Sequence, residues 1–364
     1  MSQRLIAACL AVPAVLGLLL FASLARLPYA TYQPGGTVDI LGKTDDDTPV
    51  IEIEGHESYR DDGELRMTTV RVSPAQSPDQ RGISLTALLG TWVDGDNAVL
   101  PYDAVHAPTD TVEGNKQAGQ LQMATSQDSA IDVAMEELGI DVPQVIAITD
   151  LTPGLPAEKA GLEVGDVITT IDDTAIESAS QLVDVIEKSG TTKPLAIEIT
   201  REGKPMRFEV TPVERDGAPK IGITPDISEY EFPFTVKINV PEEIGGPSAG
   251  LIFSLAVYDT LTPGSLTGGH DIAGTGEIFP NGAVGPIGGI QQKIAGARDE
   301  GADLFLVPID NCESALGADP GDMRLMMVQT MHDARVGIEA FADDAEAPLP
   351  SCKDAAKILA EAGR

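Results

Sequence analysis

A run of apolar residues near the start of the chain, Leu5 to Ala25, restricts its fold more than any other feature. Only Pro13, Gly17 and Ser23 interrupt the run, and it contains no charged residue. About 20 such residues span the hydrocarbon core of a bilayer, and the apolar part of a signal peptide is usually only about 7–15 residues long. We therefore predict a single transmembrane helix at residues 5–25, followed by a large extracytoplasmic body. A cleaved signal peptide ending in the small-x-small sequence of residues 23–25 is the alternative.

The charge balance limits the partners of that body. The chain has 57 acidic and 24 basic residues, a formal net charge of −33. Such a charge argues against nucleic acid and against anionic lipid surfaces. The sequence Gly42-Lys43-Thr44 imitates the end of a phosphate-binding loop, but Gly36 is separated from Gly42 by five residues instead of four, and no clean strand–loop–helix follows. We predict no nucleotide, other cofactor or metal.

Cysteine usage agrees with a location outside the cytoplasm. Cys9 lies in the predicted span, so Cys312 and Cys352 are the only cysteines of the predicted body. Two cysteines in an oxidising compartment usually pair, whereas in the cytosol they are usually free. The sequence therefore predicts a disulfide between Cys312 and Cys352.

The segment after the predicted span shows no recognisable chemistry. Residues 26–48 contain proline, glycine and an acidic run, which is typical of a tether. Residues 49–137 combine alternating stretches such as PVIEIEG and LRMTTVRV with helical spacing after residue 116. The pattern predicts a small α+β region with a helical linker.

Residues 138–213 resemble a PDZ domain of the bacterial protease-associated type. The motifs that carry the resemblance are LGI, VIAITDL, PAEKAGLEVGDVITTIDDTAI and the predicted helix SASQLVDVIEKSG, in that order. PDZ domains add a peptide as a strand beside a helix and hold its terminal carboxylate on loop N–H groups. The resemblance implies that Leu138, Gly139 and Ile140 form this loop and that the helix at about 180–186 lines the groove. One alternative is that the LGI sequence is only a helix end followed by a strand, and another is that the domain is an internal spacer.

The sequence GGPSAG, residues 245–250, places a serine in a glycine-rich loop. An alternating strand pattern precedes it, and the apolar stretch AGLIFSLAVYDTL predicts a helix after it. Ser248 is then expected at a helix N-terminus, where free backbone N–H groups stabilise an oxyanion. Serine is also a favoured N-cap residue, so an ordinary helix cap is the alternative.

Lys293 lies on the apolar stripe of a second predicted helix. The stripe consists of Ile290, Ile294 and Ala297, and Lys293 is on the same face. Many lysines in such positions extend to water, which is the alternative here. A lysine that stays buried has a lowered pKa and becomes usable as a general base, although lowering the pKa from ~10.4 to about 7 costs about 4–5 kcal/mol.

Four motifs together resemble the proteolytic domain of the Lon family of Ser–Lys peptidases. They are GGPSAG, AGTGEI, GPIGGIQQKIAGAR and LFLVPIDN, and the similarity covers residues 215–345, with residues 346–364 as a C-terminal tail. The resemblance implies that Ser248 is the nucleophile, that Lys293 is its general base and that Thr275 hydrogen-bonds the lysine. ATP-dependent members carry an acidic residue where this chain has Gly245, so an auxiliary acid is absent or comes from elsewhere.

The combined architecture predicts an α+β multidomain protein with a transmembrane helix, a small α+β segment, a PDZ domain and a Lon-type proteolytic domain. This order is similar to that of the YlbL-like secreted or anchored peptidases. We expect an ATP-independent serine endopeptidase at the cell membrane, acting on peptides or exposed protein tails, with a homo-oligomeric ring as a possible assembly. The alternatives are a catalytically silent PDZ adaptor that captures C-termini, and a peptidase that uses His270 and Asp271 in place of the lysine.

Overall fold

The computed structural model describes residues 3–76 and 81–361, with side chains from residue 10 onward. The chain forms two compact units. The first unit combines Met1–Leu138 with Val236–Arg364, and the second unit is Gly139–Thr235.

The N-terminal part of the first unit alternates short strands and helices. Its elements are α1 (Gln3–Leu24), β1 (Arg26–Leu27), β2 (Tyr29–Asp39), β3 (Ile51–Glu54), β4 (Glu64–Val72), β5 (Ile83–Ser84), α2 (Leu85–Val93), β6 (Ala98–Pro101), α3 (Tyr102–Val105) and α4 (Val112–Glu137).

The second unit consists of β7 (Gln144–Leu151), α5 (Pro156–Ala160), β8 (Val167–Ile171), β9 (Thr174–Ala175), α6 (Ala179–Lys188), β10 (Leu195–Arg201), β11 (Lys204–Val210), β12 (Val213–Arg215), β13 (Ala218–Lys220) and β14 (Ile223–Tyr230).

The rest of the first unit contains β15 (Thr235–Ile238), α7 (Gly250–Leu261), β16 (Asp271–Gly274), β17 (Glu277–Ile278), β18 (Val284–Gly285), α8 (Ile290–Asp299), β19 (Leu304–Pro308), α9 (Cys312–Ala315), β20 (Arg324–Val328), α10 (Met331–Asp343) and α11 (Ala355–Glu361), with 3-10 turns at Ile309–Asn311 and Cys352–Asp354.

The predicted span at residues 5–25 corresponds to α1. Its first part lies outside the residues whose side chains are described, and the apolar side chains described between Leu10 and Leu24 are mostly exposed. In the described part of the chain, no helix is long and apolar enough to cross a membrane.

A six-stranded sheet organises the first unit, in the order β20-β19-β16-β4-β2-β6. Strands β16, β19 and β20 are mutually parallel, and β16 also pairs with β4 in parallel. Strand β4 pairs with β2 on its other side in the antiparallel sense. Two central strands of this sheet therefore come from the N-terminal part of the chain.

This sheet differs from the predicted division of the chain. Residues 26–48 were expected as a tether and 49–137 as a separate region, but β2 and β4 are inner strands of the sheet. The backbone groups of β4 bond on both sides, and its Leu65 and Met67 are buried at 0% and 1% exposure. A segment with both edges paired and its side chains buried belongs to the core that it completes.

The last residues also join the first unit. The expected tail, 346–364, contains a 3-10 turn and α11. Cys352 and Ala355 lie in a buried cluster with residues of α8, β19 and α9, and the Met327 N–H bonds the Pro350 carbonyl. Apolar side chains hold this segment against the domain.

The second unit is a twisted antiparallel sheet, in the order β11-β10-β8-β7-β14, with α5 and α6 against it. Its apolar core includes Ile146, Ile168, Leu182 and Ile197. The unit extends beyond the expected boundary at residue 213, because β14 pairs with β7 from Ile223 to Tyr230. The first unit resumes at Val236.

Candidate active site

The loop between β15 and α7 carries Ser248. Helix α7 begins at Gly250 and its N-cap is Ala249, so Ser248 lies one residue before the cap and makes no capping bond. The Ser248 carbonyl accepts hydrogen bonds from the Thr275 hydroxyl, at 2.8 Å, and from the Gly276 N–H, at 2.9 Å. The backbone of the serine is thus fixed by the turn after β16, and its side chain is free for another role.

Helix α4 supports this loop from the other side. The Gly246 N–H donates to the Gly119 carbonyl at 2.9 Å, and the Ser126 hydroxyl donates to the Pro247 carbonyl at 3.1 Å. A Cβ on Gly250 would lie 2.6 Å from the Ile278 side chain and 2.8 Å from the Ser126 hydroxyl. Only glycine fits at this start of α7.

Sequence reasoning missed Gly119 and Ser126. Both lie on α4, which we assigned to a linker. They are two turns apart and therefore share one helix face, so a stripe of small residues was the available signal.

Lys293 approaches Ser248 from α8. Its side chain is 2% exposed, and its Nζ lies 2.7 Å from Ser248 Oγ and 2.8 Å from Thr275 Oγ1. Thr275 directly follows β16 and is fully buried. The structure thus brings together Ser248, Lys293 and Thr275, which the sequence places in three separate motifs.

The lysine has no counter-charge among its hydrogen-bond partners. Both partners are hydroxyl oxygens, and burial lowers the pKa of Lys293 from 10.5 to about 7. Desolvation disfavours the ammonium and leaves a large fraction of neutral amine near neutral pH. The neutral amine has the lone pair that a general base requires.

Ser248 opens onto a cavity of about 350 Å³. Its lining includes Met67 and Val70 of β4, Met123 of α4 and the loop at residues 243–245. In the described part of the chain, the backbone N–H groups of Ser248 and Ala249 have no acceptor. Thr68, Thr69 and Arg71 of β4 add polar groups to this lining, and a concave site beside free N–H donors suits a substrate carbonyl held next to the hydroxyl.

His270 lies elsewhere. Its Nδ1 is 3.2 Å from Asp303, its ring contacts Phe341, and it lines a different cavity. The Asp271 side chain pairs with Arg66 at 2.6 Å. The structure therefore does not bring this alternative histidine–aspartate pair to Ser248.

Cys312 and Cys352 form a disulfide across a sequence separation of 40. Both cysteines are buried in the first unit. In residues 3–76 and 81–361, no cluster of three or more His, Cys, Asp or Glu side chains is placed to hold a metal ion.

The groove of the second unit is not bordered by the expected loop. A cavity of about 370 Å³ lies between α6, the edge strand β14 and the β12–β13 hairpin. Its lining includes Leu182, Val183 and Ile186 of α6, and Ile223 of β14. The adjoining loop, 220–222, contains Gly222 at φ 89°.

The expected loop, Leu138-Gly139-Ile140, stands at the end of α4. Leu138 is the C-cap of that helix and Gly139 has a φ of 73°, the geometry of a helix end. The groove is instead bordered by Ile221-Gly222-Ile223, the same motif type at the opposite end of the domain sequence. Leu138, Gly139 and Ile140 do not line this cavity, so the structure does not bring the expected carboxylate loop to it.

Family comparisons divide the chain close to the predicted boundary at residues 213–215, whereas the compact units divide it between Thr235 and Val236. Residues 121–211 match the PDZ domain family, and residues 213–334 match the Lon protease (S16) C-terminal proteolytic domain. The chain therefore carries domains of two different families. More particularly, it contains a PDZ domain and a Lon-type proteolytic domain, and Lon proteases are its homologues. This confirms the predicted order of the two domains.

Several Lon proteases are similar over the proteolytic part. That of Campylobacter concisus is 29% identical over 195 residues, 50% of this chain and 24% of the relative. That of Escherichia coli K12 is 37% identical over 102 residues, 27% of this chain and 12% of the relative. Lon protease 1 of Bacillus subtilis is 29% identical over 157 residues, which are 42% of this chain and 19% of the relative. The chain thus spans a quarter or less of these relatives.

Among solved structures, the PDZ domain of the SdrC-like protein from Listeria monocytogenes is 26% identical. The match covers 22% of this chain and 86% of that chain, with a TM-score of 0.21.

Proposed function

We propose that this chain is a serine endopeptidase that cleaves peptides and unfolded protein segments without ATP. The observation that carries the proposal is the contact of Lys293 Nζ with Ser248 Oγ at 2.7 Å, in a buried site where the lysine pKa is about 7. No nucleotide is needed for this contact, because residues of the first unit alone form it.

The reaction begins with the neutral Lys293 amine, which takes the proton of the Ser248 hydroxyl as Oγ attacks the scissile carbonyl carbon. The tetrahedral oxyanion accepts hydrogen bonds from the N–H groups of Ser248 and Ala249. The Lys293 ammonium then protonates the leaving amine, and the peptide C–N bond breaks. Water, deprotonated by the same lysine, hydrolyses the acyl-enzyme and regenerates the hydroxyl.

The test uses a fluorogenic unfolded substrate without nucleotide. Ser248→Ala is expected to lower kcat/KM about a thousandfold or more, as removal of a nucleophile does. Lys293→Arg is expected to be equally inactive, because a guanidinium does not lose its proton near neutral pH. His270→Ala is the matched control and should keep most of the activity. Cleavage by purified Lys293→Arg protein would contradict the proposed base.

The pH profile supplies a second readout. Since the base must be neutral, kcat/KM should rise as pH increases through about 7, the pKa of Lys293. Wild-type protein with no activity at any pH between 6 and 9, but with intact peptide binding, would favour the silent adaptor instead.

We further propose that the PDZ domain captures free C-termini in the groove between α6 and β14. A peptide added along the free edge of β14 would extend the sheet, and apolar side chains of the groove would hold its last residue. Val183 is 43% exposed in this groove, whereas Val164 is 61% exposed outside it. Val183→Asp should weaken binding of a peptide with an apolar C-terminus, and Val164→Asp should not. Amidation of the peptide carboxylate should also abolish binding.

The N-terminal helix α1 is proposed as a membrane anchor with the body on the extracytoplasmic side. The support is the apolar run at residues 5–25 and the exposure of its apolar side chains. Protease added to wall-free cells should then digest the body. Protection of the body until the membrane is opened would contradict this orientation.

A further inference from the structure

Helix α2 is apolar and faces solvent. Its nine residues, LTALLGTWV, contain no charge, although 22% of the chain is charged. Trp92 is 71% exposed, Val93 81%, Leu89 47% and Leu85 36%. Large apolar side chains grouped on one short exposed helix mark a surface that another apolar phase covers.

The position of α2 follows from its attachment to α1. Helix α1 ends at Leu24 and continues into β1, where Arg26 pairs with Ser84 of β5. Ser84 is also the N-cap of α2, and its hydroxyl accepts the Ala87 N–H. Paired strands lie about 4.8 Å apart, so α1 ends and α2 begins at one place. The two helices also contact each other directly.

We propose that α2 lies in the interfacial layer of the bilayer that α1 enters, with Trp92 and Val93 among the lipid headgroups and upper acyl chains. The inference rests on the proposed anchoring by α1. A bilayer that surrounds α1 up to its C-terminal end reaches the exposed face of α2, because both helices leave the same two-residue ribbon. Tryptophan is enriched at that depth, where an apolar ring with one N–H donor is best solvated.

The chemistry of the contact is apolar. The protein carries a net charge of −33, so anionic lipid repels it, and α2 contains no basic residue. We therefore expect contact with zwitterionic lipid that high salt does not remove, unlike that of a basic amphipathic helix.

This contact would also orient the active site. The loop after α2 is tied to the helix that carries the catalytic lysine: Gln292 donates to the Asp96 carbonyl at 3.0 Å, and Arg298 pairs with the Asp96 carboxylate at 2.7 Å. If α2 is fixed at the membrane surface, α8 and Lys293 are held at a fixed distance from the lipid. Substrate segments close to the membrane would then be presented to the site that contains Lys293.

The experiment uses the full chain reconstituted in phosphatidylcholine vesicles. Trp92 is the only tryptophan of the chain, so intrinsic fluorescence reports on α2 alone. We expect blue-shifted emission and about twofold or greater quenching by lipid brominated in the upper acyl chain, as for an indole in the interfacial layer. Both signals should persist at high salt.

The double variant L89E/V93E should lose this quenching, while L316E, an exposed leucine of α9's C-cap, should keep it. Cleavage of a soluble peptide should be unchanged in both variants, which also shows that the variants fold.

Alkaline washing of the vesicles distinguishes the proposed anchoring by α1 from the inferred position of α2. A chain that washes off the vesicles overturns both the anchoring and the inference. A chain that stays on the vesicles but shows water-like, unquenched Trp92 emission overturns only the inference about α2. Blue-shifted Trp92 emission without quenching also overturns it, and would indicate that a second copy of the chain or another protein covers α2.

Discussion

Two buried charged groups, one in each unit, show two different ways of accommodating a charge. Lys293 is 2% exposed and its Nζ contacts only hydroxyl groups. The Asp166 side chain is 0% exposed, but Arg201 binds it through Nε at 2.6 Å and Nη2 at 2.8 Å. The Glu163 N–H donates to the same carboxylate at 2.8 Å.

The pKa values follow these surroundings. Burial alone lowers the pKa of Lys293 to about 7. Burial raises the pKa of Asp166, but the hydrogen bonds from Arg201 and from the Glu163 N–H, together with the arginine charge, outweigh it and hold this pKa below its usual value. A counter-charge thus makes a buried ion part of the structure, whereas a missing counter-charge makes it reactive.

Replacing the unpaired charge should have the largest effect. Lys293→Met should abolish cleavage and also stabilise the first unit. Below pH 7 the fold buries an ammonium whose pKa has fallen from 10.5 to about 7, a penalty of about 5 kcal/mol that methionine removes. The two lost hydrogen bonds offset this gain by about 1 kcal/mol each.

The pH dependence of this gain identifies its source. Because the folded pKa lies below the unfolded one, the penalty is complete below pH 7 and disappears as pH rises toward 10.5. The gain should therefore fall by about 1.4 kcal/mol per pH unit above 7. Hydrogen exchange of α8 amides measures it, with the exposed Lys357→Met as control. A pH-independent gain would show that packing, not charge, is responsible.

Breaking the paired charge should act in the opposite direction. Asp166→Ala leaves Arg201 without its buried partner and should destabilise the second unit by about 3 kcal/mol, since Arg201 stays partly exposed to water. As the folded pKa is depressed, this stabilisation is present above pH about 4 and is lost as pH falls through the folded pKa. Hydrogen exchange of β8 reports the loss. The exposed Asp150→Ala on β7 is the control, and equal effects of the two variants would contradict the comparison.

The sequence predicted the residues of the candidate site better than the strands around them. Ser248, Thr275 and Lys293 were identified by local motifs, and the apolar stripe of α8 placed the lysine on the buried face. The pairing of β4 with β16 joins residues about 200 positions apart, such as Arg66 and Asp271. No local pattern reports such a pairing, so β2 and β4 were assigned to a tether and a separate region.

The lack of a local signal for strand pairing also explains why the sequence did not indicate which loop borders the groove of the second unit. The motifs at residues 138–140 and 221–223 both place glycine between apolar residues, as LGI and IGI. Only the pairing of β14 with β7 shows which motif adjoins the edge strand beside α6. Disulfide partners were easier to predict, because the body contains only two cysteines.

The smallest expected effect concerns Thr275, which connects the lysine to the serine backbone. Thr275→Val keeps the shape of the side chain but removes the acceptor for Lys293 Nζ and the donor to the Ser248 carbonyl. Losing one positioning bond should lower kcat by about tenfold, equivalent to about 1.4 kcal/mol.

The same variant should also change the pH profile. The Thr275 hydroxyl accepts a hydrogen bond from the Lys293 ammonium and so favours the charged form, and its removal should shift the midpoint of the pH profile below that of the wild type. Thr260→Val is the matched control, because Thr260 is a buried threonine of α7 whose hydroxyl donates to the Ala256 carbonyl of its own helix. An unchanged rate and midpoint in Thr275→Val would mean that burial alone orients and tunes the lysine.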